Sequence, residues 1–193
     1  MRIVAVVLAA GEGRRMGGPK ALVPLEGTTF VQRCLQRLDR PGVAEAVVVV
    51  GPLQDRVAAL LPGVACVPNP RASDGMLGSV LCGLDAAEAR GADAVLLHPV
   101  DHPLVEATTV DRVVQALQDG ALIAVPSLAG RRGHPGGFAR PVWPALRAVA
   151  PERGARAVLA DHPEWIVHVE GGAGSVAGID TPEDYARLIG PPP

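Results

Sequence analysis

Two short, unbroken apolar runs, Val4 to Leu8 and Ala46 to Val50, constrain the fold of this chain more than any other feature. Neither alternates apolar with polar residues, so neither presents a wet face. Valine-rich runs of this length are the pattern of strands covered on both sides of a parallel sheet. Between them lie a glycine-rich loop and a stretch from Thr29 to Leu38 in which Phe30, Cys34, Leu35 and Leu38 recur at helical spacing. That is a βαβ unit. The alternation continues with helices expected near Gln54 to Leu61 and Met76 to Arg90, around a short strand at Ala65 to Val67. A strand at Ala94 to Leu97, a helix near Thr108 to Gln118 and a strand at Leu122 to Val125 follow. The expected fold class is α/β, a Rossmann-like open and mostly parallel sheet with helices on both faces.

The stretch Ser127 to Arg140 breaks the rhythm, because Gly130, Gly133, Gly136 and Gly137 are interleaved with Arg131, Arg132 and His134. It reads as a functional loop or hairpin. Beyond it, helices are expected near Val142 to Val149 and Ala155 to Ala160, then a strand at Trp165 to Val169 and a helix from Pro182 to Ile189. The last helix has a written start: Thr181 as N-cap, Pro182 at the first helical position and Asp184 three residues after the cap. With 193 residues and no linker, repeat or low-complexity tract, the chain is expected to form one domain over residues 1–193.

Composition excludes several classes of function. A net charge of -2 supplies no basic field for nucleic acid, and 3% aromatic residues supply no base-stacking platform. Cys34, Cys66 and Cys82 are odd in number and widely spaced, against both a disulfide framework and a CxxC metal site. They are expected to be small buried hydrophobes of a cytoplasmic protein. The run Ile3 to Ala10 is short for a signal peptide and preceded only by Arg2, and nothing approaches the ~18 apolar residues of a membrane span. Neither nucleic acid nor membrane is an expected partner.

Lys20 is the only lysine; every other cation among the 18 Lys and Arg residues is an arginine. Lysine puts a compact charge on a thin stem where the planar guanidinium fork does not fit. It closes a glycine-rich loop that follows the first strand, at the sheet edge where ligands bind in open α/β folds. A dinucleotide-binding loop needs G-x-G-x-x-G, but Met16 stands at the third glycine and the second strand ends in Gly51-Pro52 rather than an acid. A P-loop needs Gly-Lys-[Ser/Thr], but Pro19 precedes Lys20 and Ala21 follows it. What remains is a loop of small residues that brings backbone N–H groups to a nucleotide and presents Arg15 and Lys20 to its phosphates.

The segment Leu8-Ala9-Ala10-Gly11-x-x-x-Arg15-Met16-Gly17-x-Pro19-Lys20 resembles the signature of the nucleotidyltransferase superfamily, and within it the chain is most similar to the molybdenum-cofactor nucleotidyltransferases. The resemblance covers nearly the whole chain. It implies a nucleotide-diphospho-sugar-transferase-like fold, with a nucleotide-binding half over about residues 1–105 and an acceptor half over about 106–190. His98-Pro99-Val100-Asp101-His102-Pro103 resembles the family's Asp-x-Pro segment, which makes Asp101 a ligand for Mg²⁺, with Mn²⁺ as the alternative. Val100 departs from the small residue usual before that aspartate. His98 and His102 do not read as a zinc pair, because Pro99 and Pro103 preclude a helical i, i+4 face.

Gly178-Ile179-Asp180-Thr181-Pro182-Glu183-Asp184 is similar to the superfamily's Ile-Asp-Thr-Pro-Glu-Asp ending, which makes Asp180 a second metal ligand. Thr181 and Asp184 already explain the helix start without it. Arg132-Gly133-His134-Pro135 resembles an acceptor-side segment of the cytidylyl members and puts Arg132 and His134 against the acceptor. Asp74 to Val80 resembles the segment bordering the base, with Gly75 and Ser79 as contacts and Leu77 where Ser or Thr is common.

The implied activity is transfer of CMP from CTP to a phosphorylated acceptor, molybdopterin or molybdenum cofactor, with release of pyrophosphate. A molybdoenzyme under maturation is the implied protein partner. Ala10 favours the cytidylyl over the guanylyl members, which usually carry glycine there. Lys20, Arg15 and Asp101 are the expected catalytic residues, and Leu8, Ala9, Ala10, Gly11, Arg15, Lys20, Gly75 and Ser79 the expected nucleotide contacts. A sugar-phosphate nucleotidyltransferase, a guanylyltransferase and a non-catalytic nucleotide-binding regulatory module remain the alternatives.

Overall fold

A computed structural model describes residues 1–52, 54–71 and 74–190; Leu53, Ala72, Ser73 and Pro191 to Pro193 lie outside the described residues. Strand β1 (Ile3–Ala9) is buried along its whole length, as a continuous valine-rich run requires. Its side chains alternate between two cores. Ile3, Ala5, Val7 and Ala9 pack with α1 (Phe30–Leu38) and α4 (Ala107–Gln118), through Phe30, Cys34, Leu38, Val113 and Leu117. Val4, Val6 and Leu8 face α3 (Gly75–Glu88) and α5 (Trp143–Ala148), through Val80, Leu84, Trp143 and Leu146. Each large apolar side chain buried this way contributes about 1.5–3 kcal/mol before chain entropy is subtracted.

The remaining strands are β4 (Val43–Val50), β5 (Ala65–Pro68), β6 (Ala94–Pro99), β7 (Ile123–Leu128), β8 (Arg131–Arg132), β9 (Gly136–Ala139) and β10 (Ile166–Glu170). Among the described residues they and β1 form one eight-stranded sheet in the order β10-β7-β9-β6-β1-β4-β5, with β8 on β7. A small hairpin of β2 (Pro24–Leu25) and β3 (Thr28–Thr29) stands apart. Helices α2 (Gln54–Ala59), α6 (Arg156–Asp161), α7 (Ala173–Val176) and α8 (Pro182–Leu188) complete the set. β1 pairs in parallel with β4 and β6, so the carboxyl ends of these strands finish together. Ala9 stands opposite Val50, and Leu8 opposite Pro99. Four loops therefore open on one edge: the glycine loop, Gly51-Pro52, Asn69 and Asp101. No helix of the described residues is long and apolar enough to cross a membrane.

The expected loop or hairpin over Ser127 to Arg140 holds the end of β7, β8 and β9, and β9 enters the sheet antiparallel between β6 and β7. Glycines are poor strand formers, yet this strand is built on them because a helix crosses it closely. A Cβ on Gly137 would stand 2.8 Å from Val113 Cγ1 and 2.9 Å from Leu117 Cδ1 of α4. Gly83 of α3 meets the same constraint on the other face, where a Cβ would lie 2.4 Å from Val6 Cγ1. Gly83→Val is expected to lower the unfolding free energy by about 1–3 kcal/mol, read from the urea midpoint at constant m. Cys34 and Cys82 are buried as expected, whereas Cys66 is half-buried; all three are free thiols.

Candidate active site

After β1 the chain must turn back over the sheet edge, and the glycines make that turn. Gly13 has φ +64°, and its carbonyl accepts from Met16 N at 2.8 Å and Gly18 N at 3.2 Å. A Cβ there would fall 1.8 Å from the Gly18 carbonyl oxygen. A single 3₁₀ turn, Lys20–Leu22, then buries Ala21 and aims Lys20 into the cleft. Lys20 Nζ donates to Asp180 Oδ1 at 2.5 Å and to Asp101 Oδ2 at 3.0 Å, with 15% of its side chain exposed. Arg15 Nη2 stands 4.0 Å from Asp180 Oδ1 on a side chain that is 76% exposed, so water screens its charge. The Lys20 hydrogen bond holds the Asp180 carboxyl below its ordinary range, against the opposing effect of burial.

Asp101 follows β6. Its loop is fixed by Val100 N donating to the Leu8 carbonyl at 3.2 Å and by Ile179 N donating to the Asp101 carbonyl at 2.8 Å. The second bond brings the distant Asp180 segment beside Asp101, with Ile179 fully buried beneath. Asp180 then precedes the capping box read from the sequence: Asp184 N donates to Thr181 Oγ1 at 3.2 Å, and Thr181 N to Asp184 Oδ2 at 3.2 Å. Tyr185 ties α8 down by donating to the Pro24 carbonyl at 2.9 Å and stacking on Phe30.

Three imidazoles gather behind Asp101. His98, fully buried in β6, donates from Nε2 to the His102 carbonyl at 3.1 Å, which assigns the proton to that nitrogen. The His102 ring meets the His134 ring edge-on at 4.6 Å, and His102 Nε2 lies 3.9 Å from Asp101 Oδ1. Burial pushes the His98 imidazole down to about 3, with His102 adding to the effect, and burial lowers His102 and His134 as well. All three are neutral at pH 7. An unfolded His98 titrates near ~6.5, so between that pH and about 3 the unfolded chain binds the extra proton and stability falls as the pH falls. His98 alone is expected to remove about 2 kcal/mol of stability between pH 7 and pH 5. Urea midpoints at the two pH values test this, because His98→Gln should lose less on acidification than the parent.

The cleft beside Lys20 encloses about 470 Å³ and is lined by Leu8, Ala10, Gly11, Gly13, Arg14, Arg15, Pro52, Asn69, Gly75, Met76, Ser79 and Asp180 among others. It brings together most of the residues singled out from the sequence. Ala9 lines a smaller adjoining hollow with Pro19, Gly51 and Val57, and Asp101 does not line the cleft but meets it through Lys20. Arg132 is exposed on β8, and His134 reaches the site only through its contact with His102. Asn69 escaped the sequence reading. Its position at the carboxyl end of a strand beside Gly75 and Ser79 was the one signal for it.

Asp101 Oδ1 is buried with no hydrogen-bond partner among the described residues, while Oδ2 is taken by Lys20. An unpaired buried carboxylate oxygen is costly, and a hard cation relieves that cost. The Asp101 and Asp180 oxygens, both bonded to one ammonium, fit a divalent ion of the Mg²⁺ class as donor chemistry. No group of three or more His, Cys, Asp or Glu side chains is gathered as a metal cage among the described residues. Two carboxylates with phosphate and water suffice for such an ion.

The MobA-like NTP transferase domain matches residues 5–165. A nicotine blue oxidoreductase of Paenarthrobacter nicotinovorans is 34% identical over 97% of this chain and 96% of its own. A molybdenum cofactor guanylyltransferase of Rhodobacter capsulatus is 31% identical over 99% of this chain and 92% of its own. The crystal structure of Rv0371c from Mycobacterium tuberculosis H37Rv superposes with a TM-score of 0.81 at 27% identity over 98% of each chain. Its manganese complex superposes with a TM-score of 0.72 at 26% identity, again over 98% of each chain. On the match over residues 5–165, and on a fold shared along the whole chain with such relatives, this chain belongs to the MobA-like NTP transferase domain family.

Proposed function

We propose that the chain transfers CMP from CTP to a phosphorylated acceptor, molybdopterin or its molybdenum cofactor, and releases pyrophosphate. The observation that carries this reading is Lys20 bonded to both Asp101 and Asp180, with Lys20, Asp180 and the glycine loop lining one cleft. An acceptor phosphate has a second pKa near ~6 and is largely ionised at pH 7, so no side-chain nucleophile or general base is required. Its oxygen forms a bond to the α-phosphorus while the α–β anhydride bond breaks, and the electron pair leaves on pyrophosphate. The chain's task is in-line positioning and charge stabilisation.

Backbone N–H groups of Gly11 to Gly13 and the cations of Arg15 and Lys20 hold the phosphates. Asp101 and Asp180 would hold a divalent ion, Mg²⁺ or Mn²⁺, which supplies positive charge to those phosphates when bound. With such an ion on the carboxylates, the Lys20 ammonium would be free to face the triphosphate. Residues 1–105 serve the nucleotide and 106–190 the acceptor, with Arg132, His134 and the neighbouring His102 on the acceptor side.

Pyrophosphate release with CTP, GTP, UTP and ATP in the presence of molybdopterin tests the assignment. CTP is expected to give the highest rate. The guanylyltransferase relative makes GTP the serious competitor, and a preference for GTP would sink the cytidylyl reading. The relative named as an oxidoreductase supports a second reading of the same cleft. Redox turnover of nicotine blue, with no pyrophosphate released from any of the four triphosphates, would put that reading in its place.

A further inference from the structure

Asn69 is held so that it has a donor to offer and no acceptor. Its backbone N–H donates to the Val50 carbonyl at 2.9 Å, which fixes it at the carboxyl end of β5. Its Oδ1 accepts from Arg71 N at 2.8 Å and from Cys82 Sγ at 3.2 Å. Its Nδ2 donates to Ser79 Oγ at 3.1 Å. Turning the amide over would aim an NH₂ group at the Arg71 N–H, donor against donor, so the orientation is determined. A carboxamide nitrogen carries two protons, and among the described residues one of them has no acceptor. Ser79 Oγ uses a lone pair to accept from Asn69, and among the described residues its own proton has no acceptor. Both side chains line the cleft that also holds Arg14, Arg15 and Lys20.

We propose that Asn69 and Ser79 form the base-reading pair of this cleft and select cytosine through two neighbouring acceptors, O2 and N3. This rests on the nucleotidyltransferase reading above. Uracil places an N–H at position 3 between its carbonyls, so a donor on the protein meets a donor on the base. Adenine sets its amino group beside N1 and beside N7, and its third ring acceptor, N3, is separated from N1 by a C–H. Guanine matches two donors only along its O6 and N7 side. A site whose buried donors are left unpaired by the wrong base rejects it strongly, and one left facing another donor more so. Asn69 is thus a specificity-determining residue, and the cytosine 4-amino group lies outside what this pair reads.

The test is equilibrium binding of CTP, UTP, GTP and N4-methyl-CTP to the full chain with Mg²⁺ and without acceptor, so that no turnover is needed. CTP is expected to bind at least about tenfold tighter than UTP, and N4-methyl-CTP within about threefold of CTP. Asn69→Asp keeps the acceptor bonds from Arg71 and Cys82 and abolishes the donor. It should weaken every triphosphate through its charge while cutting the CTP-to-UTP ratio by about tenfold or more. Ser79→Ala should cut that ratio by less. An unchanged ratio in Asn69→Asp, or UTP or GTP bound more tightly than CTP by the parent, overturns the assignment. If the parent binds none of the triphosphates, the nucleotide reading itself falls and takes the assignment with it, a result distinct from binding with the wrong selectivity.

Discussion

Lys20→Ala is expected to lower kcat for pyrophosphate release by well over 10²-fold, since one preorganised charge-stabilising donor is typically worth about 10²–10³. The geometry adds a second loss. Lys20 is bonded to both Asp101 and Asp180, so its removal leaves two carboxylates close together, with solvent-exposed Arg15 at 4.0 Å from Asp180 as the remaining ion-pair partner among the described residues. Like charges so placed repel, and the Asp180 carboxyl, now held down by the ammonium, should rise toward its ordinary value. Lys20→Arg should also be impaired, because a planar fork cannot reproduce one compact nitrogen bonded to two oxygens from different segments. Activity of the alanine variant within tenfold of the parent would remove Lys20 from the chemistry.

Asp101→Asn should lose a comparable factor, over about 10², while leaving the fold in place. Asparagine preserves the size of the side chain, and Lys20 keeps its bond to Asp180. What disappears is the negative charge and the buried, unpartnered Oδ1 that makes this position suited to a hard cation. Mn²⁺ binding by the apo-protein gives a readout independent of turnover, and the variant should bind more weakly than the parent with an unaltered melting temperature. A variant that binds Mn²⁺ as the parent does and turns over within tenfold of it would dismiss Asp101 as a ligand.

Much of the architecture was legible because burial on both faces leaves a strong trace. The valine-rich runs at Val4 to Leu8 and Ala46 to Val50 carry the mark of strands buried on both faces, and they lie side by side in register. β9 was illegible for the opposite reason: Gly137 is dictated by the approach of Val113 and Leu117, a tertiary demand with no local pattern, and Gly136 makes room for the Phe138 ring of its own strand. The short helix α7 is made of Ala173, Gly174, Ser175 and Val176, which carry no helical periodicity. In the site, Lys20 and Asp180 stood out by composition and by a cap that did not need the preceding aspartate. Asn69 did not, since a single asparagine between Pro68 and Pro70 reads as a turn. The linkage of His98 to His102 depends on a loop conformation that the two prolines only restrict.

The bond between Lys20 and Asp180 spans 160 positions of sequence, whereas the last strand of the sheet ends at Glu170. A chain emerging from the ribosome therefore builds its whole sheet, glycine loop and first carboxylate before it owns the second. Until residues 179 and 180 dock on Asp101, Lys20 has one carboxylate partner in place of two, and the apolar surface that Ile179 covers stays open. Clipping the chain after Gly178 would strip out buried Ile179 and Tyr185 together with Asp180, so this carboxylate cannot be lost by proteolysis without opening the apolar core beneath it.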